Sequence, residues 1–397
     1  MKLGVIGVGQ AGGKVVDQLK VYDDEAEIGC VADAMVVNSS RADLVSLRHL
    51  PQRRRVLVGQ QETEGHGAGT NCERAARITH DDIEKALYRV EEMPLGNIEA
   101  FLLVGALGGG MGSGGTAVVA RYLRRRYNKP VYVTGMTPME GESPLYKRNT
   151  VRALRTLIRV TNNVILFDNS EWSVEDLPSE QNYFQMNDDL VVRLAAVFGA
   201  TEPLSSGDDI GEKVMDPADL KETLNEAHIS SIGYADMDLS PDDDDSGGFL
   251  KGLFGGAKSA PEDSSEDINN LIQQAALGKL TLPVNNLSGT KAALGITAGP
   301  QDWLSQKGLS TAGGWLAEQT SSDYVRTGDY PVQTLEGNTD YLAGVVVLSG
   351  PRSVRPLVQL YDDVIGIEAS GEEPVDASDV VEDLLEGSRG PDPIYGR

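Results

Sequence analysis

The chain has 397 residues, with 60 Asp and Glu against 35 Lys and Arg, for a formal charge of −25. A field this negative opposes nucleic acid and anionic lipid, whose affinity comes from neutralising Lys and Arg. At 40% hydrophobic residues, whole-chain disorder is excluded and the length suits two or three domains. The acid excess suits a cytoplasm at very high salt, where screening relieves self-repulsion. Cys30 and Cys72 are too few for a disulfide framework and form no CxxC pair, which predicts buried thiols in a reducing cytosol. No secretory h-region and no window of about 18 uninterrupted apolar residues is present. The expectation is a soluble, cytoplasmic chain.

In chain order, residues 2 to 8 predict a strand that ends in glycines, and Ala11 to Val21 predict a helix. The alternation continues with strand character near 28 to 38, helix at 72 to 93, strand at 100 to 105, helix at 115 to 127, strand at 130 to 135, helix at 146 to 161, and a strand directly after it. Strands alternating with helices imply a doubly wound parallel sheet, and a run as apolar as 101 to 106 belongs at its centre. Residues 181 to 198 predict a long helix with Leu190, Leu194 and Phe198 on one buried stripe.

From about 228 the texture changes. Ile229 to Ala235 reads as an edge strand, and 240 to 266 reads as a flexible acidic and glycine-rich insertion with Phe249, Leu250, Leu253 and Phe254 inside it. A helix at 266 to 277, strands at 292 to 299 and 341 to 350, and a helix at 309 to 320 predict a second, smaller α/β unit. Residues 369 to 397 form an acidic tail containing one short interaction-prone stretch, Val380 to Leu385. Arg53 to Arg55 and Arg124 to Arg126 are short basic clusters that read as solvated ends of elements, and no basic stripe is apparent. His49, His66, His80 and His228 are scattered, and no metal site is predicted.

Two glycine runs follow strands and open helices. The first, Gly7 to Lys14, fits GxGxxG, in which glycines allow a turn and close backbone approach while the next helix offers unpaired amides to phosphate oxygens. It is not a P-loop, because Val8 and Val15 replace the Gly and the Ser or Thr that such a loop needs. With Asp33 placed 21 residues after Gly12, it leaves open an NAD-dependent oxidoreductase. The second run, Gly105 to Gly115, argues instead for one ligand with several phosphates held by two loops.

That second run, Gly108, Gly109, Gly110, Met111, Gly112, Ser113 and Gly114, resembles the tubulin/FtsZ signature. The accompanying pieces stand in family order: Gly9 to Gly13, Asn38 to Ser40, Gly67 to Asn71, and Thr137 to Gly141. The Gln-Ala-Gly-Gly opening, the Met-Gly-Ser of the signature, the acidic composition and the interrupted second domain are most similar to the CetZ group of tubulin-like proteins. The resemblance implies a GTP-binding domain at 1–180, a central helix at 181–201, an activating loop and helix at 202–227, and a second domain at 228–368.

It also implies that Gly9, Gln10, Ala11, Gly12, Gly13, Lys14 and the signature loop hold the GTP or GDP phosphates, with Mg²⁺ as their counter-ion. Asn38, Ala68, Gly69, Thr70 and Asn71 would close over the γ-phosphate side. Glu140 or Glu142 would accept from a ribose hydroxyl, Asn169 would touch the nucleotide, and Tyr183 with Asn187, spaced i, i+4, would stack and read the base. Asp216 and Asp219 would be catalytic acids brought by the next copy, although Asp, Pro and Asp at 216, 217 and 219 is also ordinary helix initiation. Val214 stands where an FtsZ protein usually has Asn. The implied partner is another copy of the chain, head to tail, with a tail partner besides, and the implied function is a polymerising GTPase that controls cell shape. An FtsZ-type division-ring GTPase and a nucleotide-binding structural protein with negligible turnover are the readings nearest to it.

Overall fold

The computed structural model describes residues 1–174, 177–202, 215–239, 263–331 and 341–368. Val214, the apolar centre of the 240 to 266 insertion, and the tail with its Val380 to Leu385 stretch lie outside the described residues.

The first half runs β1 (Leu3–Val8), α1 (Gly9–Glu25), β2 (Val31–Asn38), α2 (Arg41–Ser46), β3 (Arg55–Leu57), α3 (Gln60–Thr63), α4 (Cys72–Asp81), α5 (Ile83–Glu91), β4 (Ala100–Ala106), α6 (Thr116–Arg126), β5 (Val131–Thr137), α7 (Pro144–Val160), β6 (Asn163–Asp168) and α8 (Asn169–Trp172). The long α9 (Ser179–Gly199) follows, and then α10 (Pro217–Asn225), β7 (Ile229–Asp238), α11 (Ser265–Leu277), β8 (Ala292–Gly299), α12 (Gln306–Thr320), β9 (Tyr324–Pro331), β10 (Tyr341–Ser349) and α13 (Arg355–Glu368). The predicted helix over 72 to 93 is two helices, broken at Asp82, and the end of the predicted insertion is already the first turn of α11.

The strands form one sheet in the order β3-β2-β1-β4-β5-β6-β7-β10-β8-β9. β1 to β6 are parallel, as their alternation with helices dictates. The second α/β unit continues that sheet through a short parallel joint, Val164 with Ile229 and Ile165 with Ser230, before β10 pairs antiparallel with both β7 and β8. β7 is therefore interior, contrary to the edge strand its serines suggest. Those hydroxyls are satisfied inside: Ser230 Oγ accepts from Asn163 Nδ2 and donates to Ser349 Oγ, and Ser231 Oγ donates to the Leu282 carbonyl. The true outer strands are β3 and β9. β9 reads poorly as a strand because Arg326, Gly328, Asp329 and Pro331 interrupt it, which are residues suited to an edge that must not pair further.

Two apolar layers cover the sheet. Helices α4 to α7 and α13 bury one face, and α1, α9 and α10 the other. The predicted stripe Leu190, Leu194 and Phe198 is fully buried, joined by Met186, Val191 and Val197. This layer also takes in Leu294, Ile296, Val345 and Val347 of the second half, so α9 is the packing element common to both halves. The Arg53 to Arg55 cluster is only partly a solvated end, since Arg54 is buried and pairs with Asp33 while donating to the carbonyls of Arg89 and Glu92. Among the described residues, no helix is long and apolar enough to cross a membrane.

Two outcomes follow from this packing. Phe198→Ala empties the common layer and lowers unfolding free energy by about 3–5 kcal/mol, read from urea denaturation. His228, whose carbonyl accepts from Val164 at the β6–β7 joint, has its pKa lowered by burial and by the nearby charges of Lys291 and Arg124. The unfolded chain takes up the proton first, so stability is complete above about pH 6.5 and falls as pH drops from there toward the lowered native value. A urea midpoint that falls between pH 7.5 and 5.5 in the native chain, and falls less in His228→Gln, is the expected result.

Candidate nucleotide-binding face

The chain runs outward from β1 to β2 and β3, then returns to place β4 on the other side of β1. At such a reversal the connections leave in opposite directions and open a crevice at the carboxyl ends of the strands. Both glycine runs sit there, since Val8 and Gly105 are register partners. Gly9 turns the chain with φ of +78°, a conformation in which a side chain is strained. α1 then starts with no side-chain cap and no acid in its first turn, so its leading amides remain available to an anion. Gln10 and Lys14 are exposed on one face of that turn, with Ala11 half-buried. Gly12 and Gly13 are turned inward instead, packed on the Val104 carbonyl and on Val36.

The signature loop continues into a π-helical turn, Met111–Gly115, that leads into α6 and is likewise uncapped by any side chain. It presses against the third loop so closely that a Cβ at Gly110 would stand 2.4 Å from the Gly69 carbonyl oxygen, and one at Gly114 2.0 Å from that of Cys72. Ser113 is buried, and its hydroxyl turns back to donate within its own loop, to the carbonyl of Gly109 at 2.6 Å.

The second and third loops are laced together beside this cradle. Asn38 is buried; its Oδ1 accepts from the amides of Ser39 and Ser40, and its Nδ2 donates to Asp43. Ser39 Oγ accepts from the Ala68 amide at 2.9 Å, and Arg41 N donates to the Gly65 carbonyl. Asn71 caps α4 by accepting from Arg74 N. Asn149, on α7, escapes sequence inspection because it reads as one polar residue in an amphipathic helix. It is buried, and its Nδ2 donates both to the Thr70 carbonyl (2.8 Å) and to the Gly108 carbonyl (2.9 Å). It ties the third loop to the signature loop.

On the other side of the crevice the two candidate glutamates part. Glu140 turns toward α13 and accepts from Gln359, in the lining of a cleft of about 380 Å³ shared with Asp168, Lys147 and Asp363. Glu142 accepts from the Met139 amide and lies close enough to Tyr183 for its charge, after burial, to help raise that phenol's pKa. Tyr183 is 41% exposed and Asn187, one turn on, is half-buried. Asn169 opens α8 directly after Asp168, whose carboxylate accepts from Thr137 Oγ1 and Ser170 N and whose pKa burial pushes up.

Asp33 does not fit a ribose-binding acid. It pairs with Gly4 in register, at the amino end of β1 and roughly 15 Å of strand away from Gly9, and its charge is met by Arg54. Asp216 and Asp219 lie elsewhere again. Asp216 caps α10, accepting from Ala218 N at 2.7 Å, and Asp219 pairs with Arg326 Nε at 3.0 Å. Lys221, in the same helix, binds Glu99 just before β4, and the carbonyl of Leu224 accepts from Asn163 at the start of β6. α10 therefore lies along the amino edge of the parallel strands, opposite the glycine loops. Among the described residues no group of His, Cys, Asp or Glu side chains could hold a metal ion.

A family model described as "Tubulin/FtsZ family, GTPase domain" matches residues 2–174, and one described as "Tubulin-like CetZ, C-terminal domain" matches residues 178–365. Tubulin-like protein CetZ1 of Haloferax volcanii is 39% identical over 375 residues, covering 93% of this chain and 92% of that protein. The chain belongs to the CetZ family of tubulin-like proteins. CetZ3 of the same organism is 41% identical over 362 residues, covering 91% of this chain and 90% of that protein. Among solved structures, the GDP-bound monomer of CetZ1 superposes with a TM-score of 0.80 at 35% identity, over 93% of this chain and 100% of that one. The GTPgS-bound protofilament of CetZ2 from Haloferax volcanii matches equally, at 0.80 and 30%, over 94% and 100%. The two-domain CetZ organisation runs through this chain.

The double anchor of Asn149 gives a direct check on the site. Asn149→Ala takes this donor from the Thr70 carbonyl and from the buried Gly108 carbonyl and costs about 1–3 kcal/mol, with faster amide hydrogen exchange at 68–71 as the local signature.

Proposed function

We propose that the chain binds GTP between the two glycine turns, assembles head to tail with copies of itself in the cytoplasm, and hydrolyses the nucleotide only at the junction between copies, the assembly serving to control cell shape. One observation carries this reading. The uncapped turns and the acids Asp216 and Asp219 stand at opposite edges of one sheet, about 20 Å apart along strands of six or seven residues, so the acids of one copy serve the nucleotide of the next. Such a contact is heterologous and does not close, which generates filaments.

In this reading the amides of α1 and of the Met111–Gly115 turn receive the phosphates, and Lys14 adds charge at the rim. The lacing of Asn38, Ser39 and Ala68 and the Asn149 anchor hold Gly69 to Asn71 in place on the γ-phosphate side. Glu142 accepts from a ribose hydroxyl, Tyr183 stacks on the base with Asn187 and Asn169 at its edge, and Glu140 has no nucleotide role because it faces α13. Mg²⁺ arrives with the phosphates and neutralises them. Asp216 keeps one carboxylate oxygen beyond its cap, and Arg326 fixes Asp219 from the second domain. From the neighbouring copy these carboxylates orient and polarise the attacking water. GTP favours assembly, and its hydrolysis loosens it.

With purified chain and GTP, Asp216→Ala or Asp219→Ala keeps nucleotide bound while lowering phosphate release by about 10²-fold or more. Unchanged release removes these acids from the mechanism. Glu142→Ala weakens GTP retention by about tenfold, the cost of one hydrogen bond to a charged group, whereas Glu140→Ala leaves it unchanged.

A further inference from the structure

In a chain where acids outnumber bases 60 to 35, neither α6 nor α7 contains a single Asp or Glu. The two helices lie side by side on one face of the sheet. α6 ends in Arg124, Arg125 and Arg126, all exposed. α7 carries Arg148, Arg152, Arg155 and Arg159 at spacings of four, three and four, one helical stripe, while Val151, Leu154 and Ile158 take the buried side. Inspection for contiguous basic residues misses this stripe, because its members meet only once the helix is wound. Three of them, Arg148, Arg152 and Arg155, have donors left over. Arg152 reaches Glu73 only at 3.6 Å, Arg155 lies over the Tyr361 ring, and Arg148 Nε is buried with no hydrogen-bond partner.

What covers this face is indicated by the helix that crosses it. α13 packs on α7 through Lys147 with Asp363 at 2.5 Å and through Arg155 with Tyr361, so the chain passes into residues 369–397 beside the stripe. That segment holds eight acids against two bases, and Glu372, Asp376, Asp379 and Asp383 repeat the spacing of four, three and four. Val380, Val381, Leu384 and Leu385 lie among them. Eight of the nine exposed or half-buried cations on α6 and α7 are arginines, and a carboxylate matches the planar guanidinium fork, bidentate and short-ranged.

We propose that residues 372–386 dock in cis on the arginine stripe of α7, with Glu372, Asp376 and Asp379 facing Arg148, Arg152 and Arg155. The tether supplies an effective concentration in the millimolar range, so modest pairs suffice. Docked, the segment neutralises the face. Released, it uncovers a basic surface on an otherwise acidic molecule, open to a second copy or to an anionic surface.

Hydrogen exchange of the full chain, compared with the free 369–397 peptide, tests this. Amides of 376–386 in the full chain are expected to exchange about tenfold more slowly than in the peptide, at every protein concentration. Arg148→Glu with Arg152→Glu abolishes the protection, and adding Glu372→Arg with Asp376→Arg to that variant restores it. Asp376→Asn with Asp379→Asn, which leaves the α/β body untouched, removes the protection on its own. Peptide-like exchange in the native chain overturns the proposal. So does protection that grows with protein concentration, which assigns the face to a second copy. Unprotected amides together with Arg148- and Arg152-dependent sedimentation on phosphatidylglycerol vesicles also overturn it and assign the face to lipid.

Discussion

The nucleotide face depends on backbone meeting backbone. Where the signature turn passes the third loop, the Cα of Gly110 and Gly114 fill the space that a methyl group would need against the carbonyls of Gly69 and Cys72. No side-chain design could hold these loops so near each other, and that nearness turns two separate helix starts, neither capped by a side chain, into one cradle. The glycines supply the proximity and then require others to supply the order. Asn149 and Ser39 do so with hydrogen bonds that cross from loop to loop, and Asn38 fixes the Ser39 and Ser40 amides within its own loop.

A second constraint links this face to the rest of the molecule. The two halves share one sheet through two residue pairs at β6 and β7, and that slender joint is reinforced at the same strand end that bears Asn169. Asp168 N donates to the Thr281 carbonyl, and Trp172 Nε1 donates to that of Leu280. The Trp172 ring is flanked by the Arg193 guanidinium at 4.1 Å and the Lys279 ammonium at 4.2 Å, contacts that attract cations to the ring face. Arg193 belongs to α9 and Lys279 to the second half, so first domain, central helix and second domain meet on one aromatic ring.

Much of this was legible from residue patterns. The glycine runs, the alternation of elements through β6 and the buried stripe of α9 follow from periodicity and turn chemistry, and the structure keeps each. The illegible parts share one physical cause: a polar residue reads as exposed until its partner is known. Ser230 and Ser231 suggested an edge because Asn163, Ser349 and Leu282 are remote in sequence. Arg54 looked solvated because Asp33 is 21 residues away, and that same pairing withdrew Asp33 from the ribose-binding role its spacing suggested. Asn149 looked unremarkable for the same reason, and β9 was hidden because edge strands carry the charges and proline that strand patterns exclude. Between Glu140 and Glu142, only the direction of each side chain separates the two.

The central claim is that one copy supplies the cradle and the next supplies the acids. It is tested most directly by mixing two inactive chains, one with Gly110→Val, which blocks its own cradle but keeps Asp216 and Asp219, and one with both acids changed to Ala, which keeps its cradle. Each alone should release no phosphate from GTP, and the mixture should recover turnover, because the acids of the first reach the nucleotide of the second. A mixture as inactive as its components, while both chains still enter common filaments, would contradict the account.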